Sequence, residues 1–148
     1  MKTMKNRHLG LALVPFLVLV GAVAVQAGPA VTGGGQRAGF TLAGNIHLAG
    51  EGAGSGHFII VIHTEPAILC RYTSFDDIVV TATTATFHSV GLCTGSPFGP
   101  FESDNVFTII DNGEPGIGVD VVDVNFLGGT GVAVPGGFLD AGNFQVQP

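Results

Sequence analysis

Beyond residue 27 this sequence never sustains a 3.6-residue apolar period for three turns; it alternates apolar and polar residues in short runs separated by Gly and Pro. Period two is the mark of a strand with one buried face, because successive side chains leave a sheet on opposite sides. In residues 39–48, Phe40, Leu42, Ile46 and Leu48 share one face, with Thr41, Asn45 and His47 on the other. Residues 57–64 (HFIIVIHT) are apolar on both faces at their middle, and Glu65-Pro66 ends the run because proline has no N–H to give a ladder. Further strands are expected over residues 69–74, over 77–83 and 85–94 as a hairpin, over 105–110 and over 119–127. Residues 132–134 and 138–146 supply one or two closing strands, split by Pro135-Gly136-Gly137. Residues 28–36 form a Gly-rich opening run, extended and partly loose at its start, residues 51–56 a flexible turn, and residues 95–102 a loop holding Pro97 and Pro100. Asp120 breaks the alternation and suggests a bulge near Val121. The expected fold is all-β, an antiparallel meander of about eight strands. Closing it, or nearly closing it, into a barrel removes the edges it would otherwise expose, and a two-sheet sandwich is the alternative.

The first 27 residues have the three-part layout of a cleavable secretory signal. Lys2, Lys5 and Arg7 precede a nearly unbroken apolar run over residues 9–25, and Val25-Gln26-Ala27 presents small residues for cleavage. The run is shorter than the ~20 residues of a membrane span and contains Pro15. Residues 28–148 are then a single domain. It carries all eleven acidic residues and two cations, Arg37 and Arg71, for a net charge of −9 with His neutral, against −6 for the whole chain. A domain without a basic patch cannot neutralise phosphates, which excludes nucleic acid as a partner, and anionic membrane surfaces are disfavoured for the same reason. Ten Phe and many Val and Ile supply a core, so the charge does not signal disorder. Cys70 and Cys93 are the two cysteines, and in an exported chain they are expected to pair and to stabilise the fold by roughly 3 kcal/mol.

The sequence feature with the most specific chemistry is Asp111-Asn112-Gly113-Glu114-Pro115-Gly116. It occurs in order with Val31-Thr32-Gly33-Gly34-Gly35-Gln36, Gly44-Asn45-Ile46-His47-Leu48 and Gly142-Asn143-Phe144-Gln145-Val146. In these segments the chain resembles the post-COAP-type domain of secreted bacterial proteins. The resemblance implies a secreted β-domain, alone or appended to larger extracellular proteins, with no established catalytic residues. Two departures stand out. Val119 and Val121 flank Asp120 where the family has Gly-Asp followed by an aromatic, and one Gly rather than two precedes Asn143.

The sequence offers four kinds of candidate site. The oxygen-rich group Asp111, Glu114, Asp120 and Asp123 contains the candidate ligands for Ca²⁺, but its spacing matches no EF-hand, and turn formation accounts for its residue types. His47, His57, His63 and His88 show no HxH or HExxH spacing. Serines are present without a GxSxG elbow; Gly54-Ser55-Gly56 is expected in a turn that leads into no helix. Inward Phe and Ile could line a cavity for a small apolar ligand or simply fill it. The reading is a secreted, disulfide-linked, non-catalytic domain with a structural or binding role outside the cell, or in the periplasm of a host with an outer membrane. It calls for no cofactor, no metal and no stable membrane insertion after leader removal, and its partner is an unknown extracellular molecule. A small-ligand-binding barrel is the alternative, and a barrel enzyme ranks third.

Overall fold

The computed structural model describes residues 29–50, 52–97, 99–128 and 134–148. The leader expected over residues 1–27 lies outside them, as do residues 129–133, where a turn and a closing strand are expected. Nine strands follow in chain order: β1 (Pro29–Arg37), β2 (Phe40–Gly50), β3 (Ala53–Ile62), β4 (Ile68–Val80), β5 (Thr84–Thr94), β6 (Phe101–Ile110), β7 (Val121–Gly128), β8 (Val134–Phe138) and β9 (Ala141–Val146). All neighbours are antiparallel, in one sheet of order β8-β7-β6-β5-β4-β3-β2-β1-β9. A single strongly curled sheet of this kind is a nearly closed barrel, not a two-sheet sandwich. The curl has a topological cause. β8 and β9 are the two outermost strands of the order, yet only Leu139 and Asp140 separate them in the chain, so the two edges must meet.

The expected alternation fixes the inner face. Leu42 and Ile46 of β2, Phe58, Ile60 and Ile62 of β3, and Phe107 and Ile109 of β6 are all buried. Phe58 sits at the centre, with ring centroids 5.9 Å from Phe87, 5.2 Å from Phe107 and 6.1 Å from Phe144. Phe87 and Phe107, directly opposite on β5 and β6, stack at 4.8 Å. Each such pair adds about 0.5–1.5 kcal/mol beyond the burial of its area. Gly44, opposite Phe58, keeps the inner face clear, since a Cβ there would run into the Phe58 ring. Cys70 and Cys93 are directly opposite on β4 and β5, both buried, and bonded.

Several boundaries differ from expectation. The Gly-rich opening run is extended as expected, but it is ordered from Pro29 as a full strand, β1, whose glycines let it lie between β2 and β9. The stretch expected as two strands over 69–74 and 77–83 is the single strand β4, kinked where register shifts flank Asp76 and Asp77 takes φ 51°. Its buried phase moves twice, from Cys70 and Tyr72 to Phe75 and then to Ile78, which is what one extra residue at each of two irregularities does. Gly54-Ser55-Gly56 lies inside β3 and not in a turn. β6 starts at Phe101, inside the expected loop, and Pro135-Gly136-Gly137 lies within β8. Proline is tolerated there because β8 is an edge strand. No bulge forms at Val121: β7 begins at that residue, and Asp120 is the last residue of the preceding loop.

Candidate functional site

The acidic turn is built from short-range bonds first. Asp111 leaves β6 with its N–H donating to Thr83 O (2.8 Å), and its Oδ1 accepts from Gly113 N (3.0 Å). Gly116 N donates to Gly113 O (3.0 Å), and Gly113 and Gly116 take φ of 106° and 78°, where only glycine is unstrained. Asn112 Nδ2 donates to Val119 O (2.6 Å), folding the loop back on itself.

The same acids also reach across to the last strand. Asp111 Oδ2 accepts from Val146 N (3.1 Å), and Asp120 Oδ2 accepts from Phe144 N (2.9 Å). Asp120 Oδ1 accepts from Asn112 N (3.1 Å), and Asp120 is fully buried. Glu114 Oε1 accepts from Asn143 Nδ2 (2.9 Å) and Gln145 Nε2 (3.2 Å). Phe144 and Val146 of β9 thus give their N–H groups to carboxylates on the side where a neighbouring strand would be. Hydrogen bonds to a carboxylate are about twice as strong as neutral ones, so Asp111 and Asp120 substitute for part of a ladder, and Glu114 adds bonds to two side-chain amides of β9. The loop is a clasp across the seam between the sheet's two edges. At the opposite end of the seam Arg37 Nη2 donates to Gly136 O (2.9 Å) and Asp140 Oδ2 accepts from Ala38 N (2.8 Å).

The four acids considered as metal ligands therefore do not converge. Asp111, Glu114 and Asp120 each face their own N–H donors. Asp123 lies apart on β7, where it accepts from Asn125 Nδ2 (2.8 Å). Among the described residues no group of three or more His, Cys, Asp or Glu could hold a metal ion. The histidines are also dispersed. His63 Nε2 lies 2.8 Å from Thr41 Oγ1 and His88 Nε2 2.6 Å from Asp104 Oδ1, on different strand pairs.

A polar group that the sequence reading did not single out lies inside the barrel. Tyr72 of β4 donates its hydroxyl to Asn105 Oδ1 (2.9 Å), and Ser103 of β6 donates to the same oxygen (2.6 Å). Ser89 of β5 donates to Ser74 O (2.6 Å). Tyr72, Ser89, Ser103 and Asn105 are all buried. Gly91 leaves the space that the Tyr72 ring fills. Burial pushes the Tyr72 hydroxyl up to about 12, with the neighbouring Ser103 hydroxyl pulling it the other way. The cluster contains no carboxylate or imidazole, and Ser103 points at an amide oxygen that is no general base at neutral pH. Its signal was present: residues 103, 105, 107 and 109 share one phase, and the first two are polar.

On the outer face, a shallow depression of about 460 Å³ lies over β1, β2 and β3. Thr32, Asn45 and His57 form its polar wall, with Ala43 and Ile59 beside them. Comparison with family models, with curated proteins and with solved structures finds no match for this chain.

Proposed function

We propose that this chain is an exported, non-catalytic β-domain that acts outside the cytoplasm in binding or surface structure. The observation that carries this reading is the Cys70–Cys93 bond at the middle of the sheet, since such bonds persist in oxidising compartments. The leader-like residues 1–27 agree with it. The resemblance to post-COAP-type domains supports the same reading. The segments that carry it are neighbours in space: β1 lies between β2 and β9, and the 111–116 turn bonds to β9. A non-catalytic role is favoured by the chemistry of the buried polar group, which pairs hydroxyls with an amide and offers no acid or base. A small apolar ligand is disfavoured as the cargo, because Phe58, Phe87, Phe107 and Phe144 occupy the interior with one another. A native mass spectrum of protein recovered from culture medium tests the reading. The expected species lacks residues 1–27 and is two hydrogens lighter than the dithiol. A cell-retained, full-length protein with two alkylatable thiols would refute it.

A further inference from the structure

We propose that the outer face of β9, β1, β2 and β3 binds a neutral glycan. The inference deepens the extracellular binding reading above and rests on it. Cross-strand register puts Gln145, Thr32, Asn45 and His57 in one row on four successive strands, since Thr32 is opposite both Gln145 and Asn45, and Asn45 is opposite His57. Strands ~4.8 Å apart spread that row over ~14 Å, the reach of a short oligosaccharide more than of a single sugar. Within this strip lies the depression of about 460 Å³, whose low floor comes from Gly33, Ala43 and Gly44. Asn45 and His57 are exposed. Unlike His63 and His88, His57 has no hydrogen-bond partner among the described residues, and the same holds for the Thr32 and Asn45 side chains.

The chemistry of the strip selects the ligand. A peptide strand has nothing to pair with here, because the backbone groups of β1, β2 and β3 are already in ladders on both sides. An anion meets no Lys or Arg in the row, and Glu114 stands at its β9 end. That single carboxylate already accepts from Asn143 and Gln145, so a cation gains little. What remains is a row of amide, hydroxyl and imidazole groups, each able to donate or accept, which is the complement of a chain of uncharged hydroxyls. With no aromatic platform in the row, binding is weak and reversible.

The test uses ¹⁵N-labelled protein recovered from the medium of cells expressing the full chain, titrated with maltohexaose, cellohexaose and chitohexaose and followed by amide chemical shifts. The expected result is saturable shifts with at least one of the three, confined to Thr32, Gly33, Ala43, Asn45, His57 and their neighbours. Asn45→Ala with His57→Ala should weaken binding at least tenfold while leaving the rest of the spectrum in place. Ala43→Leu, which raises the floor on the solvent side, should do the same if the double variant does not fold. Shifts that are absent with all three glycans, that fall elsewhere, or that survive both variants overturn the glycan site. Because the protein came from the medium, those results would leave the export reading standing. A chain retained in the cell with residues 1–27 attached overturns both.

Discussion

The sheet is held in two different ways on its two sides. At β4 and β5 the strands have ladder partners on both flanks, and the Cys70–Cys93 bond is added to a pairing that register already specifies. At the seam between β8 and β9 the sheet order ends, and the strands are held by Asp111, Glu114, Asp120, Arg37 and Asp140 instead. The buried side-chain atoms lacking a partner among the described residues, Arg37 Nη1 and Asn143 Oδ1, both belong to residues that take part in the seam. Ladders satisfy every backbone group by repetition, whereas a seam made of side chains depends on a few residues, each without a substitute. The seam should therefore be the more sensitive region to single changes.

The sharpest contrast is Asp120→Ala. It leaves the N–H groups of Phe144 and Asn112 without their acceptor, one of them buried, and should cost roughly 4 kcal/mol in urea unfolding. A loss below about 1 kcal/mol would show that the clasp holds little. Removing the staple with Cys70→Ala and Cys93→Ala together should cost roughly 3 kcal/mol, the stabilisation expected of a closed loop of this length. If this double variant proves far less stable than Asp120→Ala, the ranking of the two regions is reversed.

The interior between them is tested by pH. Tyr72 titrates near 10 when unfolded and near 12 when folded, so the unfolded chain loses its proton first. The stability that Tyr72 contributes is complete below pH 10 and falls away as pH rises towards 12, by roughly 2–3 kcal/mol. Tyr72→Phe should flatten that fall in alkaline melting curves, and an unchanged slope would assign the loss to other groups.

Within the turn, Gly116→Ala should cost roughly 2 kcal/mol and Gly113→Ala about 1 kcal/mol. Both take positive φ, but a Cβ at Gly116 would also meet Asn143 and Asp120, whereas at Gly113 it meets open space. Equal losses would mean that backbone conformation alone decides. The smallest effect is expected for Glu114→Ala. Its exposed carboxylate should be worth about 0.5 kcal/mol, measurable as faster amide exchange in Asn143 and Gln145 more than as a shift in melting.

Much of the fold was legible in the sequence because alternation is a local signal. The faces of β2, β3, β5 and β6 follow from residues such as Leu42, Phe58, Phe87 and Phe107 read in period two. The disulfide was legible because a chain with two cysteines, Cys70 and Cys93, leaves one pairing. What escaped was set by partners distant in sequence. Gly33 to Gly35 read only as part of an extended Gly-rich run, because nothing local shows β9 lying alongside. Asp120 read as a flaw in a strand because its partner, Phe144, lies far along the chain. The acids of the turn were correctly legible as turn residues, since Asp111 does bond Gly113. Their second role, holding β9, needs the closed sheet to exist first. The outer row of Thr32, Asn45 and His57 was invisible for the same reason, since it exists only across three strands.

The pairing of Val31 with Val146 has a consequence for the order of events in folding. β2 to β7 are each adjacent in space to their neighbours in sequence, so their contacts close short loops at small entropic cost. β1 must wait for β9, the last of the nine strands in chain order. Until then β1 has one neighbour, and its second edge is free to pair with another chain. We expect amide protection in β9 to develop after that in β4 to β6 in pulse-labelling, and the interval between the two is when this domain is most exposed to misassembly.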